Sequence, residues 1–553
     1  MSVRRLVTCL VAATALAIAA PVHAAAPSEI RTGGPSAPRD AKVAIVGTDR
    51  DLASSRYLVV GTGGTVVSTG TLHRVPGTPA PWTHAYAAPL TGATAAGSYR
   101  VVVPALGEMS RPWVVRPAGS SDAIPTILKF FAWNADGRAS PFHGPSHLHD
   151  ATVKGGRFHG HRFNLVGGWM DAGDMIHFAQ TTAYGAAVLE AAARIDPAYG
   201  AKLDKAAAVG VRWLRKAHPR RHLFIAQVGD QRDHDHGFRN PADDDSSGIP
   251  GIAHRRAYPG TASGGIGGDI AGKATAALAL AYDRTGTRAD LRQAKSWYAA
   301  GKRAGRTTPR LPGGFYRDRR WKDSMAAGAA ALYRSTHKRS YLHQAVHFLH
   351  SSQSRPDGTL GVIDSFASFA AADICGALGA HPLGSPKQRR FACHRLHRFG
   401  AIAVEQARGN AFGMPGFFTW GTTAQNGASG ALAGLAGCAS GLAHGRAVAA
   451  GARDYLLGRN PFGRSFVVGY GPGSPVHPHH WASVFGNARP TGAVVGGPAP
   501  IKEIRGQGFH VHSPFDSKFA SYEDRRADYV TSEPALDYAA ATILLLATLD
   551  AGC

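Results

Sequence analysis

Beyond Asp122 the chain repeatedly writes helices that lack a polar face. The segment Ala271–Asp283 (AGKATAALALAYD) is apolar on most of its circumference, and such a helix has to be enclosed by other elements rather than laid on a surface. Helical periodicity marks spans near 126–133, 176–194, 201–216, 271–285, 289–301, 322–335, 341–350, 366–378, 388–406, 424–443 and 534–549, broken by long Gly/Pro/His loops. Helical hairpins closed into a ring would bury the apolar helices and collect the long loops on one face, where sites usually lie. An irregular solenoid is the alternative, but no fixed repeat supports it.

The first part of the chain reads differently. AKVAIVG, RYLVVG, GTVVSTG, SYRVVV and RPWVV are short apolar runs separated by Gly, Pro, Thr and Ser, a pattern that predicts an immunoglobulin-like β-sandwich over residues 27–117. A boundary is expected in AGSSD, residues 118–122, with a mainly α domain over 122–553. Residues 1–26 have the form of a secretory signal peptide: Arg4 and Arg5, an apolar run from Leu6 to Ala20, then a small-residue site around Ala24. The longest later apolar segment, Ala539–Leu549, is about half of the ~20 residues that a membrane span needs. The expectation is an exported, monomeric protein without a membrane span. Four cysteines would remain after export; they permit three complete pairings, of which Cys375 with Cys393 is favoured by its short loop. The formal charge of +24 raises the question of nucleic acid, but Lys and Arg are scattered without a basic helix or a stripe interleaved with aromatics, so no nucleic-acid partner is expected.

Two acidic motifs carry the chemistry. GGWMDAGDMIHF holds Asp171 and Asp174, and YEDRRADYVTSEPALDYAA holds Glu533. Hydrolysis of a sugar acetal requires one carboxylate to direct water and a second carboxyl to protonate the leaving oxygen, which makes a glycoside hydrolase the expected class. A helix starting near Met175 would place both aspartates on one side and help keep them ionised. Pro534 suits the first position of the final helix, a setting that would lower the pKa of Glu533, so burial or like charges, with Asp524 and Asp528 as candidates, must compensate. His477, His479, His480 and Trp481 follow in HPHHW. A metal site is one reading; a sugar groove, with Trp321 and Trp420 extending it, is the other.

At these residues the chain resembles glycoside hydrolase family 9. The resemblance rests on the GGW-x-DAGD box, the LLG-x-NP segment leading to HPHH, and a terminal box close to DY-x-x-NE. It implies an (α/α)6 barrel behind an immunoglobulin-like module, with Asp174 as base, Asp171 as its helper, Glu533 as acid, and His479 and Tyr538 at the sugar. The chain departs from the family at Trp481, where Arg is usual, at Ala539, where Asn is usual, and at Ser532. Some members bind zinc through Cys and His before the DAGD box; here NADGRASPFHGPSHLHDA has no Cys, which argues against that zinc. No cofactor is required, and a structural calcium near Asp230, Asp233, Asp235, Asp243 and Asp269 is left open, with Lys273 standing where Glu is usual. The expected activity is inverting hydrolysis of β-1,4-glucan, a β-linked polysaccharide or oligosaccharide being the partner. The alternatives are an exo-acting β-glucosidase or exo-β-glucosaminidase, and, from another class, a non-catalytic cationic wall-binding protein.

Overall fold

The structure, a computed structural model, describes residues 27–77, 80–352, 362, 365–379, 381–485, 488–510 and 519–553. The leader expected over residues 1–26 lies outside the described residues.

Two antiparallel sheets form the N-terminal region. One has the order β1 (Glu29–Arg31), β2 (Val43–Thr48), β6 (His84–Pro89), β5 (His73–Arg74); the other runs β4 (Val66–Thr71), β3 (Arg56–Val60), β7 (Gly97–Val103), β8 (Glu108–Met109), with β9 (Trp113–Val115) on β7. In β7 the two-residue period of the strand turns Tyr99, Val101 and Val103 inward, where they meet Val46, Tyr57, Val59, Tyr86 and Trp113 in one core.

The rest is mainly helical, with short strands between the helices. Six helices are buried along nearly their whole length: α2 (Ala179–Ile195), α5 (Gly268–Thr285), α7 (Lys322–Thr336), α9 (Ala367–Cys375), α11 (Thr422–Ser440) and α15 (Leu536–Asp550). Each packs on the next in that order and α15 returns to α2, which closes a ring. The Ala- and Gly-rich sequences allow this because small side chains let backbones approach. A Cβ on Gly272 of α5 would sit 2.2 Å from the backbone of Ser324 in α7. Outside the ring lie α1 (Ala123–Trp133), α3 (Gly200–Lys216), α6 (Arg288–Ala304), α8 (Arg339–Ser351), α10 (Pro386–Arg408) and α12 (Gly445–Leu456). These are amphipathic: α6, for example, buries Ala294, Trp297, Tyr298 and Gly301 and leaves most of its Lys and Arg outside. The result is an (α/α)6 barrel preceded by a β-sandwich. The periodicity missed α12, whose glycines at 445 and 451 weaken the helical pattern.

Buried charge joins the sandwich to the barrel. Arg453 of α12, 1% exposed, donates to Asp40 beside the sandwich, to Asp454 (2.8 and 2.9 Å) and to Ser36 (2.9 Å). Arg446 reaches Asp40 at 2.7 Å, and Arg459 donates to the Val43 carbonyl at 3.1 Å. Two disulfides are present, the favoured Cys375–Cys393 and Cys438–Cys553, the second tying the end of α11 to the segment after α15. Replacing Arg453 by Met strands Asp40 and Asp454 with weaker partners in a dry interface. Breaking a buried pair in this way costs about 3–5 kcal/mol, and denaturant unfolding of Arg453→Met against the parent protein measures it.

Candidate active site

The segments preceding α2, α7 and α15 gather at one end of the barrel, where Tyr316 meets Asp171 and Gly173 meets Glu533. Asp171 and Asp174 precede α2, and Glu533 precedes α15, the neighbour of α2 in the ring. That adjacency brings together residues from the two ends of the catalytic sequence.

The aspartate loop is pinned by backbone contacts. Gly173 donates its N–H to Glu533 Oε1 at 3.3 Å, while its carbonyl accepts from the Trp481 N–H at 3.2 Å. A Cβ at Gly173 would lie 2.1 Å from the His479 carbonyl oxygen, so no other residue fits there. His479 N–H donates to the Ser532 carbonyl at 3.0 Å and Leu536 N–H to the Asp171 carbonyl at 3.1 Å, lacing three segments into one floor. Asn134, at the end of α1, braces the same loop: its side-chain amide donates to the Met170 and Ala172 carbonyls, both at 2.9 Å, and its oxygen accepts from His480 Nε2 at 2.9 Å. His480 Nδ1 accepts from the Ala482 N–H at 3.2 Å, which fixes the tautomer, and burial depresses its pKa to about 3, so it stays neutral.

The local conformations differ from those expected of the sequence. The helix after the aspartates starts at Ala179, behind a short strand, β11 (His177–Phe178), so Asp174 lies outside its first turn and instead caps the Ile176 N–H at 2.9 Å. Glu533 is extended, follows the short α14 (Tyr529–Ser532), and is separated from α15 by Pro534 and Ala535. Neither carboxylate therefore sits on a helix dipole. Nor do Asp524 and Asp528 provide the like charge at Glu533: Asp524 pairs with Arg464 at 2.9 Å and caps Val476 and His477, and Asp528 caps the Val530 N–H.

The charges that matter are the three carboxyls themselves. Burial, then Asp174 and Asp171, push Glu533 well above the usual carboxyl range, against the Gly173 N–H. Burial and Asp174 likewise raise Asp171, whose Oδ2 accepts a short hydrogen bond from the Tyr316 hydroxyl. Asp174 is raised mainly by burial, to about 6, with His234 opposing the shift from 3.9 Å. Three groups this close titrate together, and Asp174, the most easily ionised, is the first to carry charge.

Aromatic side chains run from this floor. Phe238, His479, Tyr529 and Trp420 follow one another at ring separations of 4.6, 5.6 and 5.8 Å, with Trp420 39% exposed. His479 is held by its Nδ1 on the Arg526 carbonyl at 2.6 Å, and its pKa is lowered by burial. Tyr538 packs beneath Gly421, and the nearby Asp537, Glu533 and Asp171 add to burial in raising its pKa. Trp481, in contrast, is 3% exposed, packed among Trp133, Met170, Met175 and His143, so the flat face expected of it is covered. Trp321, at the start of α7, packs on Phe348 and the start of α5 and so lies two inner helices round the ring from α2. Tyr316, Asn134, Tyr529 and Phe238 were not singled out by motif; only Tyr529, inside the terminal acidic box, carried a usable signal.

The calcium candidates do not converge. Asp233 is taken by Arg239, Asp269 by Thr308 at 2.8 Å, Asp230 by Tyr258 at 2.6 Å, and Asp235 and Asp243 are exposed. Lys273 is buried, 3.0 Å from both Asp318 and Ser324. Among the described residues the one cluster with metal-compatible spacing is Asp136, His147 and His177, whose donor atoms lie within 4.8 Å of one another. Both imidazoles already turn nitrogen to Asp136, at 2.9 and 2.8 Å, and His147 Nε2 faces Asp244 at 2.8 Å. Against burial and Arg255, the two flanking carboxylates raise His147 to about 9, so its nitrogens are committed to Asp136 and Asp244. A metal ion there would have to displace these pairings.

Comparison with known proteins accords with this fold. An endoglucanase of Dictyostelium discoideum is 28% identical over 464 residues, covering 77% of this chain; the chain in turn spans 60% of that relative. A solved metagenome-derived family 9 endoglucanase superposes with a TM-score of 0.76 at 21% identity, covering 95% of this chain and 99% of that one. A thermostable endoglucanase from Alicyclobacillus acidocaldarius gives 0.77 at 22% identity, covering 95% and 100%. The family description "Glycosyl hydrolase family 9" matches residues 121–546, the helical ring up to the last turn of α15 with its carboxylate loops, and the chain belongs to that family.

Proposed function

We propose that the protein hydrolyses β-1,4-linked glucan by single displacement with inversion at the anomeric carbon. The observation that carries this reading is the meeting of Asp171, Asp174 and Glu533 at the Gly173 peptide, with their affinities for protons split. Glu533, half-buried and the stronger holder of its proton, donates it to the bridging oxygen as the bond to the leaving sugar breaks. Asp174, ionised first, accepts a proton from water as the water attacks the opposite face of the ring, and Asp171, oriented by Tyr316, steadies that water. The row Trp420, Tyr529, His479, Phe238 supplies flat faces and polar edges suited to a sugar chain.

Endoglucanase relatives support glucan as substrate, and the open, exposed Trp420 supports a cleft that admits internal positions. One feature favours exo action: the segment from Asp230 to Tyr258 carries His234 to Asp174 and Phe238 to His479. Product lengths from soluble β-glucan separate the two, scattered sizes meaning endo and a single sugar exo. We take residues 27–117 as a bracing module, 122–553 as the catalytic domain and 1–26 as an export leader; the two disulfides suit an oxidising destination.

Proton NMR of early product should reveal the α-anomer first; the β-anomer appearing first rules out this mechanism. Glu533→Gln should lower kcat by about 10²–10⁴-fold on substrates with poor leaving groups while leaving KM within a few-fold, as expected for loss of a general acid. Activity should climb with pH through about 6, as Asp174 ionises, and Asp174→Asn should abolish the active form. The same burial has a stability signature. A carboxyl with a higher pKa folded than unfolded keeps its proton longer in the folded state, so stability falls as pH rises from the unfolded value toward the folded one. Glu533→Gln should therefore leave Tm unchanged near pH 4 and raise it increasingly at higher pH; a variant less stable than the parent at pH 7 contradicts the raised pKa.

A further inference from the structure

Behind the aspartate loop lies a fully enclosed charge cluster that the proposed reaction does not use. At its centre is Arg255, 1% exposed, just before the strand β13 (Arg256–Pro259). Its Nε donates to Asp150 Oδ1 at 3.0 Å and its Nη2 to Asp150 Oδ2 at 2.5 Å and to Asp136 Oδ2 at 3.0 Å. Nη1 donates to the Met175 carbonyl at 2.5 Å and lies 3.7 Å from Asp233 Oδ2. Nη2 is also 3.3 Å from His177 Nε2. The surrounding chain completes the set: Arg239 bridges Asp233 and Asp244, and Asp244 faces His147, which returns to Asp136.

We propose that Arg255 is a positioning residue for the Asp171–Asp174 loop, its guanidinium serving as the permanent cation of this cluster, so that the loop is held without a metal ion. Two of its contacts reach the base from either side. Met175, whose carbonyl it holds, follows Asp174 directly, and Asp233, which it faces, precedes His234, the residue 3.9 Å from Asp174. Asp136 and Asp150 anchor this unit to the segment after α1. A planar fork of donors suits this place, because it satisfies a bidentate carboxylate, a second carboxylate and a carbonyl together, which a point charge on a flexible stem does not. The guanidinium also touches Asp136 and His177, two of the three residues of the one described set with spacing for a metal. A divalent ion there would have to displace it, and its charge does the neutralising work already.

The test has a metal arm and a kinetic arm. Wild-type protein dialysed against EDTA and 1,10-phenanthroline should hold far less than one transition metal or calcium per chain by mass spectrometry, with kcat and Tm unchanged. A stoichiometric metal whose removal lowers either quantity overturns the proposal. Arg255→Met should lower kcat by about 10- to 100-fold, the usual cost of removing an orienting partner behind a reactive group, with KM changed far less. Arg255→Lys, which keeps the charge and loses the fork, should recover part of that loss. A folded Arg255→Met protein with unchanged kcat overturns the proposal, and if this variant fails to fold, Arg255→Lys and the metal arm still decide it. The kinetic arm rests on the assignment of Asp174 as base, whereas the metal and unfolding measurements do not. Wild-type protein inactive on every β-glucan would therefore sink the proposed reaction and leave those measurements standing.

Discussion

One peptide unit organises the catalytic floor. Gly173 gives its N–H to Glu533 and its carbonyl to Trp481, and the His479 carbonyl presses where its side chain would be. With no side chain in the way, three strings of sequence, the first more than 300 residues before the other two, lie in van der Waals contact. The three carboxyls are then set by backbone, which has far less freedom than side-chain contacts would leave them. The cost is electrostatic, since the same closeness puts three carboxyls in mutual repulsion. That repulsion, with burial, is what divides their protons unequally.

The ring explains why such distant strings can meet at all. Because α15 packs on α2, the first and last inner helices are neighbours, and the loops before them share a corner. The Tyr316 loop, which precedes α7, comes to the same corner and reaches Asp171. Behind that floor a second layer, made of Asn134, His480 and the Arg255 cluster, holds the loops without touching the reacting space.

How far this was legible depended on whether a residue's role is written locally. The enclosed helices were visible because Ala271–Asp283 and its counterparts lack a polar face, a property of each segment alone. The carboxylates stood out because acids flanked by Gly, Trp and Pro are rare in a solvated loop. What the sequence hid were relations across the fold. Nothing near Asn134 announces that it bridges Met170 and His480, and Arg255 sits in IAHRRAY looking like one more surface arginine in a chain with 61 Lys and Arg. Trp481 misled in the opposite sense: next to HPHH it looks like part of a groove, yet a neighbouring Trp133 and His143 draw it into the interior. Local rules likewise put helix starts at Met175 and Pro534, whereas long-range pairing, of β11 with the strand Ile225–Val228 and of Val495 with Pro534, keeps both segments extended.

Ring closure also dictates the order in which the molecule can become an enzyme. During synthesis α2 emerges with its two aspartates long before α15, and until the last helix arrives both α2 and α11 present an apolar seam to water. A nascent or clipped chain without α15 keeps Asp171, Asp174 and Glu533 but lacks the helix whose packing on α2 brings their segments together, and it has an open edge prone to association. Competence and solubility arrive in the same late step, when the final turn of helix slides into the gap and Cys553 meets Cys438.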